Sequence, residues 1–379
     1  MRVLTGGRVL TPDGLVDTEV ITTEEGLAFD AAPDAEPIDV EGLTVIPGLI
    51  DIQVNGAFGH DFTDDPESIW LVARRLPETG VTSFLPTIVT SPYEVVDRAI
   101  EVLKAGPPPG YEGAAVLGLH IEGPWIAPEW NGAHDPALLR LPDLQTAASW
   151  AASGVVRMVT IAPELEGATE AATVLAAAGV VVSAGHSGAD YETASAALRG
   201  NWSAVTHLYN QMTPMRHREP GVVGAALESG RPCGLIADGL HSHPGAMRLA
   251  WQSLGAEHMV LVTDAMAAMG LGPGSYVLGG QEVTVGDTGP RTRDGRLAGS
   301  VLTMVQAVSN LVQWTDASFG EAVQCATSTP AFLLGLDDRG RVEDGLRADL
   351  TVLDADNQVV FTMVDGEVAY RRPGSNSWA

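Results

Sequence analysis

Two imidazoles and two carboxylates stand at the ends of four apolar runs in this chain: Glu122 in LGLHIEG, His186 in VVSAGH, His207 in SAVTH and Asp264 in MVLVTD. Imidazole and carboxylate both ligate divalent cations, and two histidines on successive strand ends can share one ion at Zn–N distances of about 2.0–2.1 Å. With Glu122, His186 and His207 around such an ion, Asp264 becomes the natural general base for its water. Taken singly, each residue has a plainer reading. Glu122 can be an acid paired with an arginine, a lone His186 is more often a hydrogen-bonded structural group, and Asp264 can cap a helix. The His186–His207 pair is far more specific than either member. In His120-Ile121-Glu122-Gly123-Pro124, alternation points His120 and Glu122 to one side, and Gly123-Pro124 stops the strand.

Residues from separate runs meet only if the runs are parallel strands of one sheet. Buried-strand patterns near 49–54, 82–87, 114–121, 155–161, 179–184, 203–206, 233–238 and 259–263 alternate with helical stretches such as 67–79, 91–105, 189–199 and 244–254. This is the alternation of an α/β protein with a (β/α)8 TIM-like barrel, whose catalytic groups sit at the C-terminal ends of the strands. An open doubly wound sheet is disfavoured because no glycine-rich dinucleotide fingerprint follows the first strand. Outside the barrel, strands over 2–10 and 16–29 flank the turn TPDG, a short strand lies near 43–46, and DLTVLDADNQVVFTMVDGEVAYR holds three β runs. The two ends are expected to pair as a small β-sandwich. The implied domains are 1–46 and 339–379 for the sandwich and 47–338 for the catalytic barrel.

At 379 residues and 45% hydrophobic, the chain has apolar mass for one large core. Its formal net charge of −27 repels nucleic acid and anionic membrane surfaces, so neither is an expected partner. MRVLTGGRVLTPDG lacks the apolar core of a signal peptide, and no run approaches the ~20 apolar residues of a spanning helix. Cys233 and Cys325 stand far apart, outside any CxxC spacing, and read as free thiols. The expectation is a cytoplasmic protein. Against the acidic background, Arg216-His217-Arg218 is one compact basic island: either a phosphate pocket or a solvated basic loop.

The ordered set PGLIDIQVNG, GLHIEGPW, NGAHDP, SAGHS, THLYNQM, REPGVVGAAL, IADGLH, LVTDA and LAGSVLTM resembles the N-acetylglucosamine-6-phosphate deacetylase family of the amidohydrolase superfamily. The resemblance runs from about residue 1 to the C-terminus. It implies that Glu122, His186 and His207 ligate a metal, that Asp264 is the catalytic acid/base, and that His134 helps polarise the acetamide carbonyl. It further implies substrate contacts from Ala133, Asn210, Gln211, Arg218, His241 and the Leu297-Ala298-Gly299 segment. The implied assembly is a homodimer, with the phosphate-binding Arg and His supplied by the neighbouring subunit. Most superfamily members carry His-x-His after the first strand and many add a carboxylated lysine, whereas here the positions are Gln53-Val54-Asn55 and the single lysine is Lys104. Amides are poor zinc ligands. One divalent ion per chain is therefore expected, Zn²⁺ first. His60 lies near the missing pair as either an extra ligand or a surface group.

The implied reaction turns an amino-sugar phosphate, N-acetylglucosamine 6-phosphate, into glucosamine 6-phosphate and acetate. Other readings are the galactosamine epimer as substrate, another amide, or a non-catalytic sugar-phosphate-binding barrel. A serine nucleophile at Ser187 is disfavoured, since Gly-His-Ser-Gly is not a G-x-S-x-G elbow.

Overall fold

Runs of Val, Ile and Leu become the eight parallel strands of a barrel. They are β1 Leu49–Val54, β2 Val81–Val89, β3 Leu119–Glu122, β4 Val156–Ile161, β5 Val181–Ala184, β6 Ala204–Val205, β7 Cys233–Leu235 and β8 Met259–Leu261. The computed structural model describes residues 1–29 and 34–374. Every residue of β1 and β2 is buried, because helices cover the outer face and side chains fill the inside; the polar residues among them, Asp51, Gln53, Thr82, Ser83 and Thr87, are buried with the rest. Each strand pairs with the next in sequence. The ring closes where Val54 bridges Ala265 and the Asp264 amide donates to the Gln53 carbonyl at 2.9 Å. The helices between strands include Tyr93–Ala105, Leu144–Ala152, Ala168–Ala177, Tyr191–Arg199 and Pro244–His258. Asp143 and Asp190 start two of them by accepting backbone amides.

The chain ends form two facing sheets. One orders its strands Gly26–Ala28, Val20–Thr23, Arg2–Thr5 and Glu36–Asp39. The other joins Glu367–Arg371, Val359–Val364 and Leu350–Leu353 to Thr44–Pro47, Arg8–Thr11 and Gly14–Asp17. Leu4, Val20 and Ile38 of the first pack with Val9, Val45, Leu350 and Phe361 of the second in one apolar layer. N- and C-terminal segments therefore share the sandwich. Residues 375–379 of the expected C-terminal segment lie outside the described residues.

Three features differ from the sequence expectation. The run 2–10 is two strands, broken at Gly6-Gly7; Gly6 has φ +83°, and a Cβ on Gly7 would lie 2.6 Å from the Val40 carbonyl oxygen. The run 16–29 likewise divides, with strand breaks around residues 18–19 and 24–25. Third, after β8 the chain inserts an antiparallel sheet of Gly274–Leu278, Gln281–Gly286 and Gly289–Thr292, which no apolar run announced. It lies across the C-terminal end of the barrel.

Candidate active site

Glu122 ends β3, where all four residues are buried. Gly123 takes φ +84°, and a Cβ there would lie 2.2 Å from Thr90 Oγ1, so a side chain would push the strand end out of place. His186, His207 and Asp264 follow β5, β6 and β8 with φ of 50°, 26° and 51°. Non-glycine residues seldom adopt such angles, at a cost of order 1 kcal/mol or more each, and three at one barrel end mark a functional constraint. Beneath them lies a buried polar floor. His120 reaches Thr87 at 3.2 Å and Thr160 at 2.8 Å, and Thr160 continues to Thr206 at 2.8 Å. Burial pushes His120 down to about 4, so it is neutral.

Glu122 Oε1, His186 Nε2 and His207 Nε2 form a triangle with sides of 3.0, 3.1 and 3.3 Å. Ligands about 2.05 Å from a tetrahedral zinc stand about 3.3 Å apart, so the triangle fits one such ion. The His186 tautomer also fits: Nδ1–H donates to the Trp130 carbonyl at 2.8 Å, leaving the Nε2 lone pair turned inward. The positions that would carry a second ion are occupied otherwise. Gln53 Nε2 donates to Glu122 Oε1 at 3.0 Å and Asn55 Nδ2 donates to Asp264 Oδ1 at 2.7 Å. Burial, reinforced by the Glu122 charge, pushes Asp264 up to about 6.

His134 faces this group from the loop after β3. Its Nδ1 meets the Thr90 hydroxyl at 2.7 Å and the Thr90 amide at 3.2 Å; the amide can only donate, so the neutral ring's proton is assigned to Nε2, 3.9 Å from Glu122 Oε2. Burial, with repulsion from His186, pushes its pKa down to about 3. It is a neutral donor aimed at the site. His241, expected with Arg218 from the neighbouring subunit, lies instead on the wall of its own chain's cavity, with Nδ1 2.7 Å from Asp238 Oδ2. Burial works against ionising Asp238, but bonds from the His241 side chain and backbone hold its carboxyl below the ordinary range. These groups share one cavity of about 330 Å³.

The amidohydrolase family pattern matches residues 44–369. N-acetylglucosamine-6-phosphate deacetylase of Bos taurus is 41% identical, covering 98% of this chain and 94% of its own. The chain belongs to the N-acetylglucosamine-6-phosphate deacetylase family of amidohydrolases. A crystal structure of that enzyme from Pasteurella multocida superposes with a TM-score of 0.92 at 30% identity, covering 98% of this chain and all of its own. N-acetylgalactosamine-6-phosphate deacetylase of Escherichia coli O157:H7 is 37% identical over 97% of this chain and 99% of its own.

In this deacetylase-family barrel the cavity also gathers Ala133, Asn210, Gln211, Leu297 and Gly299. Ala298 is not on its wall; it packs with Met266 and Leu278 in a separate apolar cluster, just before Gly299 turns the chain at φ +62°. The basic island is not there either. Residues 216–219 loop outward, closed by the Arg216–Glu219 bridge, and Arg218 is exposed in another hollow with Trp130, Gly188 and Tyr191. His60 pairs with Ala57 in a two-residue strand pair and is not on the cavity wall. Ser187 is buried and donates to Glu164 at 2.7 Å, bound as a structural group. The cations on the wall are Arg291 and Arg296 from the inserted sheet and the turn that follows it. The alternation Val283/Val285 in QEVTVG was the available signal for that sheet.

Proposed function

We propose that the chain hydrolyses the acetamide of N-acetylglucosamine 6-phosphate to glucosamine 6-phosphate and acetate, using one Zn²⁺ held by Glu122, His186 and His207. The observation that carries this reading is the ligand triangle facing Asp264 and His134 within one cavity. A divalent cation there supplies Lewis acidity, activating water and polarising the acetamide carbonyl. Asp264, aligned by Asn55, takes the proton from water and passes it to the departing amine. His134 Nε2–H donates to the developing oxyanion. Asn210, Gln211, Ala133 and the Leu297–Gly299 segment flank the sugar, and His241, held by Asp238, meets the phosphate.

Arg218 in this reading serves the neighbouring subunit of a homodimer. Its support is position: the arginine is exposed outside its own chain's cavity, in the same outward loop as Met215, which is 62% exposed. A cytoplasmic setting is supported by two buried free thiols, Cys233 and Cys325. No helix among the described residues is long and apolar enough to cross a membrane. The test is acetate release from N-acetylglucosamine 6-phosphate with and without a chelator, alongside the galactosamine epimer. Chelator-sensitive turnover favouring the gluco epimer is expected. Turnover of the galacto epimer alone would reassign the substrate, and a metal-loaded protein that binds sugar phosphate without releasing acetate would leave a binding barrel.

A further inference from the structure

Arg291 lies on the cavity wall and is only half-buried, yet its hydrogen bonds go to neutral acceptors. Nε donates to Thr288 Oγ1 at 3.2 Å and Nη1 to the Gly295 carbonyl at 2.7 Å. Those bonds use two of the five N–H groups of a guanidinium. No carboxylate among the described residues forms an ion pair with it, in a chain of net charge −27. Its neighbour Arg296 is different: it pairs with Asp294 at 2.9 Å and donates to Asn131 and Gly132. Arg291 is therefore the cavity-wall arginine whose charge has no internal partner.

Its place in the insertion brings it to the sugar-binding surface. Arg291 bridges Leu297 across an antiparallel step, next to the segment expected along the substrate. In the same strand, Gly289 packs so closely on Leu240 that a Cβ would lie 2.6 Å from Leu240 Cδ1, which seats this strand on the loop carrying His241. We propose that Arg291 is a specificity-determining residue that, together with His241, binds the phosphate of the substrate from within the same chain. This rests on the sugar-phosphate reading above. A phosphate monoester carries about −1.5 to −2 charge at neutral pH, and a guanidinium with free N–H groups matches its oxygens in a bidentate fashion.

The test uses metal-loaded full-length protein, with Arg291→Ala and Arg291→Gln; the glutamine keeps a donor for the Gly295 carbonyl while removing the charge. Two measurements run together: calorimetric Kd for glucosamine 6-phosphate and for glucosamine, and kcat/KM for the N-acetylated pair. Both variants are expected to lose about ten- to a hundredfold in preference for the phosphorylated over the plain sugar, mainly through Kd and KM. Equal losses on both sugars in both variants would make Arg291 a brace of the hairpin tip and overturn the proposal. So would an unchanged preference, which would leave phosphate binding to His241 and Arg218. Absence of turnover in the parent chain would defeat the deacetylase reading alone, because the binding preference still tests Arg291.

Discussion

At the residue scale, two amides where relatives in the superfamily keep histidines organise the chemistry. Asn55 Nδ2 holds one oxygen of Asp264, which in the proposed mechanism leaves the other for the proton. Asp264→Asn keeps shape but removes the proton carrier, and turnover is expected to fall by ~10²–10⁴ while bound metal per chain is unchanged. Near-normal turnover in that variant would remove Asp264 from the mechanism. Metal loss would make it a ligand instead. The sequence disclosed this group well, because Glu122, His186, His207 and Asp264 each follow an apolar run whose burial fixes where the next residue emerges. It could not disclose the tautomers. That His134 carries its proton on Nε2 depends on the Thr90 amide, a contact 44 residues away in the chain.

At the element scale, the inserted sheet was the part hidden from sequence reasoning. Its first strand has one buried residue in five, and its second alternates with solvent-facing positions, so neither presents the continuous apolar run that revealed β1–β8. Yet it closes the cavity. In the turn after it, Arg296 Nη1 donates to the Gly132 carbonyl at 2.7 Å and to Asn131 Oδ1 at 3.2 Å, while Asn131 Nδ2 donates to the His134 carbonyl at 2.6 Å. Arg296 thereby positions the loop that carries His134. Because its side chain is 49% exposed, these charged bonds contribute about 1 kcal/mol after solvent screening. Arg296→Ala should lower kcat roughly fivefold with little change in Tm, and Arg296→Lys should recover part of it. A change confined to Tm would make the contact structural. Arg218 shows the other limit of sequence reading: its type and motif were visible, but not that residues 214–219 leave their own cavity.

At the scale of the whole molecule, buried acids tie stability to pH, Asp51 and Asp61 most of all. Burial pushes Asp51 up to about 7, against hydrogen bonds from Thr263 and Gln53 that favour its charged form. An unfolded chain releases that proton near 3.9. Between these values the folded state binds the extra proton, so stability falls as pH rises from about 4 to about 7, then levels. In Asp51→Asn this residue's share of the slope is lost, and the Tm difference should shift in favour of Asn across that window; parallel profiles would contradict the assignment. Assembly has its own test. If Arg218 serves a partner's cavity, mixing Arg218→Ala chains with Asp264→Asn chains should restore activity in heterodimers, whereas verified heterodimers without activity would place the arginine elsewhere. The central claim is that a single ion on the Glu122, His186 and His207 triangle drives hydrolysis of the acetamide. The direct measurement is acetate release from N-acetylglucosamine 6-phosphate as Zn²⁺ is titrated into metal-free protein. Activity should rise linearly and saturate at one equivalent per chain; saturation at two equivalents, or no acetate at any loading, would contradict it.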